Sequence, residues 1–244
     1  MHVETHGPAD APPVLLLHGG GVAGWMWEPV RERLARDHRL IVPDLPGHDR
    51  SADETYHSHA QTAEALTKLL HDAGGRVSVV GFSLGAQLAV LLAAHRPELV
   101  ERVVVVSAQA KPIAATGFTL GLLGATAGLA RQRWFAKLQA KQLFIPDPLL
   151  DDYVRTSASI SKQTLLAAVG ENLRFTPPPE WSRFPREALI LAGERERALM
   201  RDSARVLHEA LPGSELEIVA DCGHGIPLQR PDWFADRVRD RLGA

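Results

Sequence analysis

Ser83 stands in Gly81-Phe82-Ser83-Leu84-Gly85, the place in the chain where residue types and spacing point most directly to covalent chemistry. An apolar strand pattern, VSVVGF (77–82), precedes the serine, and a helical pattern, AQLAVLLAAH (86–95), follows it. A serine at such a strand-to-helix turn is held out of the backbone line, and the flanking glycines let other backbone come close. The helix turns its partially positive N-terminus toward the hydroxyl. The same residues also read as a glycine-rich turn with an incidental serine. A partner separates the two, because a serine hydroxyl is a weak nucleophile at neutral pH and needs a base within hydrogen-bond reach.

Histidine is the usual base, and the chain holds eleven. His224 follows the strand-like ELEIVAD (215–221) in a glycine-rich loop, DCGHGIPLQRP (221–231). His18 and His48 also sit beside strand-end glycines, whereas His2, His6, His38, His57, His59, His71, His95 and His208 read as surface or loop residues. A carboxylate must then orient the base and stabilise its imidazolium. LILAGERERALM (189–200) offers Glu194 and Glu196 just beyond Gly193. Each is followed by arginine, so each also reads as half of a surface ion pair worth at most about 1 kcal/mol.

The elements that must position these groups alternate. VLLLH (14–18), LIVPD (40–44), VSVVGF (77–82), VVVVSA (103–108), ALILAG (188–193) and ELEIVAD read as strands. Helical periods fall at 27–37, from a Ser58 cap to about Ala73, at 86–95, at 199–210 and in a last helix ending near Leu242. Strands apolar on both faces that alternate with helices predict a mostly parallel sheet covered on both sides, an α/β fold. The alternation lapses between Lys111 and Ser182, in a helix-rich stretch that ends at Pro177-Pro178-Pro179. The expected organisation is a core of residues 1–110 and 183–244 with a helical cap at 111–182. Within that cap Trp134, Phe135, Leu138 and Leu143 fit one helical register, and Phe118, Leu122, Leu123, Trp134 and Phe135 are candidates to line an apolar pocket. Trp25 and Trp27 are expected in the core.

Bulk properties narrow the function. A net charge of −2 and 23% charged residues give no footprint for nucleic acid or an anionic membrane. Residues 113–130 carry no charge and include a Gly117/Gly121 pair, but the run is dominated by Ala, Gly and Thr, so it reads as a helix packed on a soluble body rather than a span. The polar N-terminus shows no secretory signal, and the lone Cys222 fits a reducing compartment, so a cytoplasmic location is expected. Nothing in the sequence sets an oligomeric state.

Four blocks in order resemble the α/β-hydrolase fold superfamily across nearly the whole chain. They are LLLHGGGVAGWMW (15–27), PDLPGHDRS (43–51), the turn at Ser83 and the late block at His224. The resemblance implies Ser83 as nucleophile, His224 as base and a structural role for His18. It places the acid three residues after a strand-end glycine, which selects Glu196 over Glu194. It also implies an oxyanion hole from the backbone N–H groups of Leu84 and Gly20, with Gly21 able to share the task. The chain departs from the superfamily pattern in its Glu in place of Asp, in Asp49 where glycine is usual, and in an N-terminus too short for eight strands.

The reading is a serine hydrolase acting through an acyl-enzyme on an ester-like bond of a small apolar molecule, with no metal and no organic cofactor. A serine at position 83 argues against epoxide hydrolase or haloalkane dehalogenase chemistry, which uses aspartate there. Alternatives are a lyase, C–C hydrolase or cofactor-free oxygenase or perhydrolase on the same three residues, and a non-catalytic ligand receptor.

Overall fold

A computed structural model describes residues 1–114, 116–128 and 132–243. Its strands are β1 (Val3–His6), β2 (Pro13–Leu17), β3 (Arg39–Pro43), β4 (Val77–Phe82), β5 (Val100–Val106), β6 (Ala188–Gly193) and β7 (Glu215–Val219). They form one seven-stranded sheet in the order β1-β3-β2-β4-β5-β6-β7. Only the β1–β3 pairing is antiparallel; the others are parallel. Helix α1 (Glu28–Leu34) follows β2, α2 (His59–Asp72) follows β3 and α3 (Leu84–His95) follows β4. Among the described residues four α-helices, α4 (Thr116–Thr126), α5 (Arg133–Gln142), α6 (Leu150–Ser159) and α7 (Lys162–Arg174), lie between β5 and β6. Helix α8 (Ala198–Ala210) joins β6 to β7, and α9 (Ile226–Gln229) and α10 (Pro231–Leu242) close the chain.

Period-two alternation splits the core between the two faces of the sheet. Leu15, Leu17, Val79, Val103 and Ile190 pack with Leu66 of α2, Leu88 of α3 and Leu207 of α8. Their neighbours Val14, Leu16, Val80, Val104 and Leu189 pack with Val30 of α1 and Phe234 of α10 on the other side. Every residue of β4 and β6 is buried, as the uninterrupted apolar runs require.

The element ends explain where the sequence pattern overran. β5 stops at Val106 because Ser107 takes φ 54, and Asp221 at φ 61 lies beyond the end of β7. The 27–37 period resolves into a 3-10 turn at Gly24–Trp27 and the shorter α1, with Pro29 in its first turn. Ser58 caps α2 as expected, its Oγ accepting the Gln61 N–H at 3.2 Å.

The inserted helices differ most from expectation. α4 has no buried residue and lies on α7 rather than on the sheet, with Leu166 beside Gly124. Ala115, Leu129 and Ala130 of the uncharged run lie outside the described residues. No described helix is long and apolar enough to cross a membrane. On α5 the buried residues are Ala136 and Ala140, while Trp134 and Leu138 are exposed. Small side chains allow α5 to pack closely on α6, and Trp134 and Leu138 point outward.

Candidate active site

The turn after β4 is built around two absent side chains. A Cβ on Gly81 would lie 2.2 Å from the Gly85 carbonyl oxygen, and one on Gly85 would lie 2.3 Å from that of Leu17. This close approach of β4, α3 and β2 holds Ser83 at φ 53, ψ −110, outside the regions that non-glycine residues favour. The Ser83 N–H donates to the Val106 carbonyl at 2.8 Å, which ties the turn to the end of β5. Leu84 opens α3, and the first N–H groups of a helix have no partner within it.

His224 reaches the serine, and Glu196 reaches His224, from separate loops. The Ser83 hydroxyl lies 3.1 Å from Nε2 of His224, and Nδ1 of His224 lies 2.6 Å from Oε1 of Glu196. With Glu196 ionised, the ring proton sits on Nδ1 and Nε2 is left to accept the serine proton. The Glu196 carboxylate is buried, whereas the imidazole is partly open to the cavity. The Glu196 N–H donates to the Gly193 carbonyl at 3.1 Å, and the Arg195 N–H donates to that of Cys222 at 2.8 Å. The first bond turns the loop after β6, and the second joins it to the loop that carries His224. Glu194 points to solvent, where its carboxylate accepts the Asp221 N–H at 3.0 Å.

The remaining predicted histidines shape the neighbouring loops. His18 is buried, with Nε2 accepting the Leu45 N–H at 2.8 Å and Nδ1 2.8 Å from the Gly19 carbonyl oxygen. Burial, with His48 close by, drives its pKa well below the ordinary histidine value, so a neutral imidazole joins the two loops. His48 borders the cavity, and burial lowers its pKa also. Asp44 accepts the Gly24 N–H at 2.8 Å and the Arg50 Nε–H at 2.9 Å, which holds the segment after Gly20.

A cavity of about 620 Å³ opens over Ser83, Leu84, His224 and Gly20. Of the five apolar candidates, Leu123 and Phe135 line it. Phe118, Leu122 and Trp134 are exposed. Trp27 is core, stacked on Phe234. Trp25 packs partly buried against the same core, and its indole N–H donates to Thr156 Oγ1 of α6 at 2.9 Å, so it bridges the sheet body and the inserted helices. Asp49 does more than alter a turn. It adopts φ 43, and both its carboxylate oxygens accept from Arg155 of α6, at 3.0 and 3.2 Å.

These features agree with the match of residues 14–237 to the model of the alpha/beta hydrolase family. The chain belongs to that family. Among curated alpha/beta hydrolase relatives, it is 27% identical over 247 residues to the pimeloyl-[acyl-carrier protein] methyl ester esterase of Nitrosomonas europaea, covering 96% of each chain. It is 26% identical to the 2-hydroxymuconate semialdehyde hydrolase of Pseudomonas putida, covering 98% of this chain and 90% of the relative. Among solved structures, an esterase from Exiguobacterium antarcticum superposes with a TM-score of 0.84 at 22% identity, over 100% of this chain and 95% of the other. At that identity the likeness is one of fold.

Sequence reasoning missed several residues around this alpha/beta hydrolase site. The buried Ser107 donates its hydroxyl to the His224 carbonyl at 3.2 Å, and the Gln229 side-chain carbonyl accepts the Gly223 N–H at 3.2 Å. Tyr153 and Lys162 border the cavity from the inserted helices. None carries a motif: Gln229 reaches back six residues within its own loop, and Ser107, Tyr153 and Lys162 meet the site from elements distant in the chain.

Proposed function

We propose that the protein is a serine hydrolase that cleaves an ester-like bond, a carboxylic ester, thioester or lactone, through an acyl-enzyme. The supporting observation is the hydrogen-bonded chain from Ser83 through His224 to the buried Glu196, with the serine facing the cavity. In this reading His224 Nε2 takes the hydroxyl proton as Ser83 Oγ attacks the carbonyl carbon. Glu196 stabilises the imidazolium, and the N–H groups of Leu84 and Gly20 stabilise the oxyanion. His224 then gives the proton to the leaving oxygen or sulfur, and water activated by the same imidazole releases the acid. Residues 111–182 serve as a cap over a core of 1–110 and 183–244, with Leu123 and Phe135 forming part of an apolar acyl wall. The similarity to a pimeloyl-[acyl-carrier protein] methyl ester esterase supports an ester substrate. A cytoplasmic setting fits the single buried thiol of Cys222.

A fluorophosphonate probe and a panel of short p-nitrophenyl esters, thioesters and lactones test the proposal. Wild type is expected to label at Ser83 and to turn over at least one class, and Ser83→Ala to lose both. Turnover that survives Ser83→Ala removes the mechanism. The similarity to a 2-hydroxymuconate semialdehyde hydrolase supports a second reading, C–C bond hydrolysis on the same three residues. Turnover of a carbon–carbon substrate with no ester turnover selects it.

A further inference from the structure

Among the described residues that line the cavity, Lys162 is the single side chain bearing a full charge. No carboxylate lines the wall with it. The cation sits awkwardly for its own helix, because as the first residue of α7 it meets the positive end of the helix dipole. It gains no described ion pair in return, whereas Arg133 and Arg155 of the same insertion pair with Asp151 and Asp49. None of the undescribed residues has an acidic side chain. Its Cε lies close to Gly124 of α4 and the residue is exposed, so the ammonium stands at the boundary of cavity and solvent. The rest of the wall leaves that charge uncompensated. His48 is kept neutral by burial, and the Tyr153 hydroxyl, pushed up to about 12 by burial, stays protonated. Gln139, Gln142 and Asn172 add polarity without charge.

We infer that the acyl part of the substrate carries a carboxylate, distant from the bond that is cleaved, and that Lys162 selects it. This deepens the serine hydrolase reading and rests on it. The enzyme would act on half-esters of dicarboxylic acids in preference to esters of plain fatty acids. An apolar wall between Ser83 and Lys162 would carry the methylene chain, and an exposed ammonium would receive the free carboxylate while part of its hydration shell is kept.

The test compares monomethyl esters of saturated dicarboxylic acids, from five to ten carbons, with methyl alkanoates of equal length, on the full chain. Wild type is expected to show the higher kcat/KM on the half-esters for at least one length. Lys162→Met is expected to lower the half-ester to alkanoate ratio about fivefold at that length, the size of a partly solvated ion pair. Lys162→Glu is expected to lower it further, and added salt to shrink the wild-type preference. A ratio unchanged by both substitutions at every length overturns the inference, as does an equal loss on both series. Failure of the hydrolase reading would look different: no ester of either series turned over and no probe attached at Ser83.

Discussion

Glu194 and Glu196 lie two residues apart on the loop after β6, yet one faces water and the other is buried against an imidazole. The turn made by the Gly193 carbonyl and the Glu196 N–H rotates one side chain inward and leaves the other outside. Glu196→Gln keeps the size of the side chain but loses the charge that fixes the Nδ1–H tautomer. It is expected to lower kcat roughly 10³- to 10⁴-fold in an ester assay. Glu194→Gln should leave kcat within twofold, because its carboxylate serves only an exposed loop N–H. Equal effects of the two substitutions would mean that the acid acts through loop structure rather than through His224.

At the scale of elements, the site depends on how closely β4, α3 and β2 approach. Gly85→Ala would place a methyl 2.3 Å from the Leu17 carbonyl oxygen, with backbone on both sides and no flexible side chain to yield. A cost of about 3 kcal/mol is expected, which for a chain of this length lowers Tm by roughly 6–12 °C in calorimetry. The inserted helices are held both by buried apolar residues, such as Ala140, Tyr153 and Ala168, and by polar contacts such as Arg155–Asp49 and Trp25–Thr156. Arg155→Ala should therefore change Tm little, since the arginine is largely exposed. It is expected to raise KM severalfold by loosening α6 over the cavity, with kcat nearly unaltered. A matching fall in kcat would show that the contact reaches the reacting groups.

Across the whole molecule, three buried histidines couple stability to pH. Burial lowers the pKa of His18, His48 and His59 below the ordinary 6.5. His59 is fixed between the Tyr56 hydroxyl, 2.7 Å from Nδ1, and Gln87 Oε1, 2.7 Å from Nε2. Gln87 in turn donates to the Asn172 carbonyl of α7 at 3.2 Å, so this network also fastens the insertion to the body. Above about pH 6.5 these rings are neutral in folded and unfolded chains alike, and they impose no penalty. Below it the unfolded chain binds their protons first, and stability falls as pH falls. Urea unfolding between pH 8 and pH 5 should show the midpoint dropping in the acid half of that range. His59→Gln should flatten the drop; an unchanged slope would mean that other groups dominate it.

The sequence by itself determined the order of elements, the parallel core and the turn that carries Ser83, because each of these is written locally. Unbroken apolar runs dictate strands buried on both faces, and Gly81 and Gly85 dictate a turn only that spacing permits. The choice between Glu194 and Glu196 came from family likeness rather than from spacing. Only the tertiary structure decided what the 620 Å³ cavity presents, which helix face is buried and which charge goes unpaired. The inserted segment has weak periodicity and many small residues, so large side chains such as Phe118 and Trp134 could be placed on either side without breaking a pattern. Ser107 and Asp49 take their places from partners across the fold, and Lys162 from the cavity that it borders; neither leaves a trace in the residues beside them.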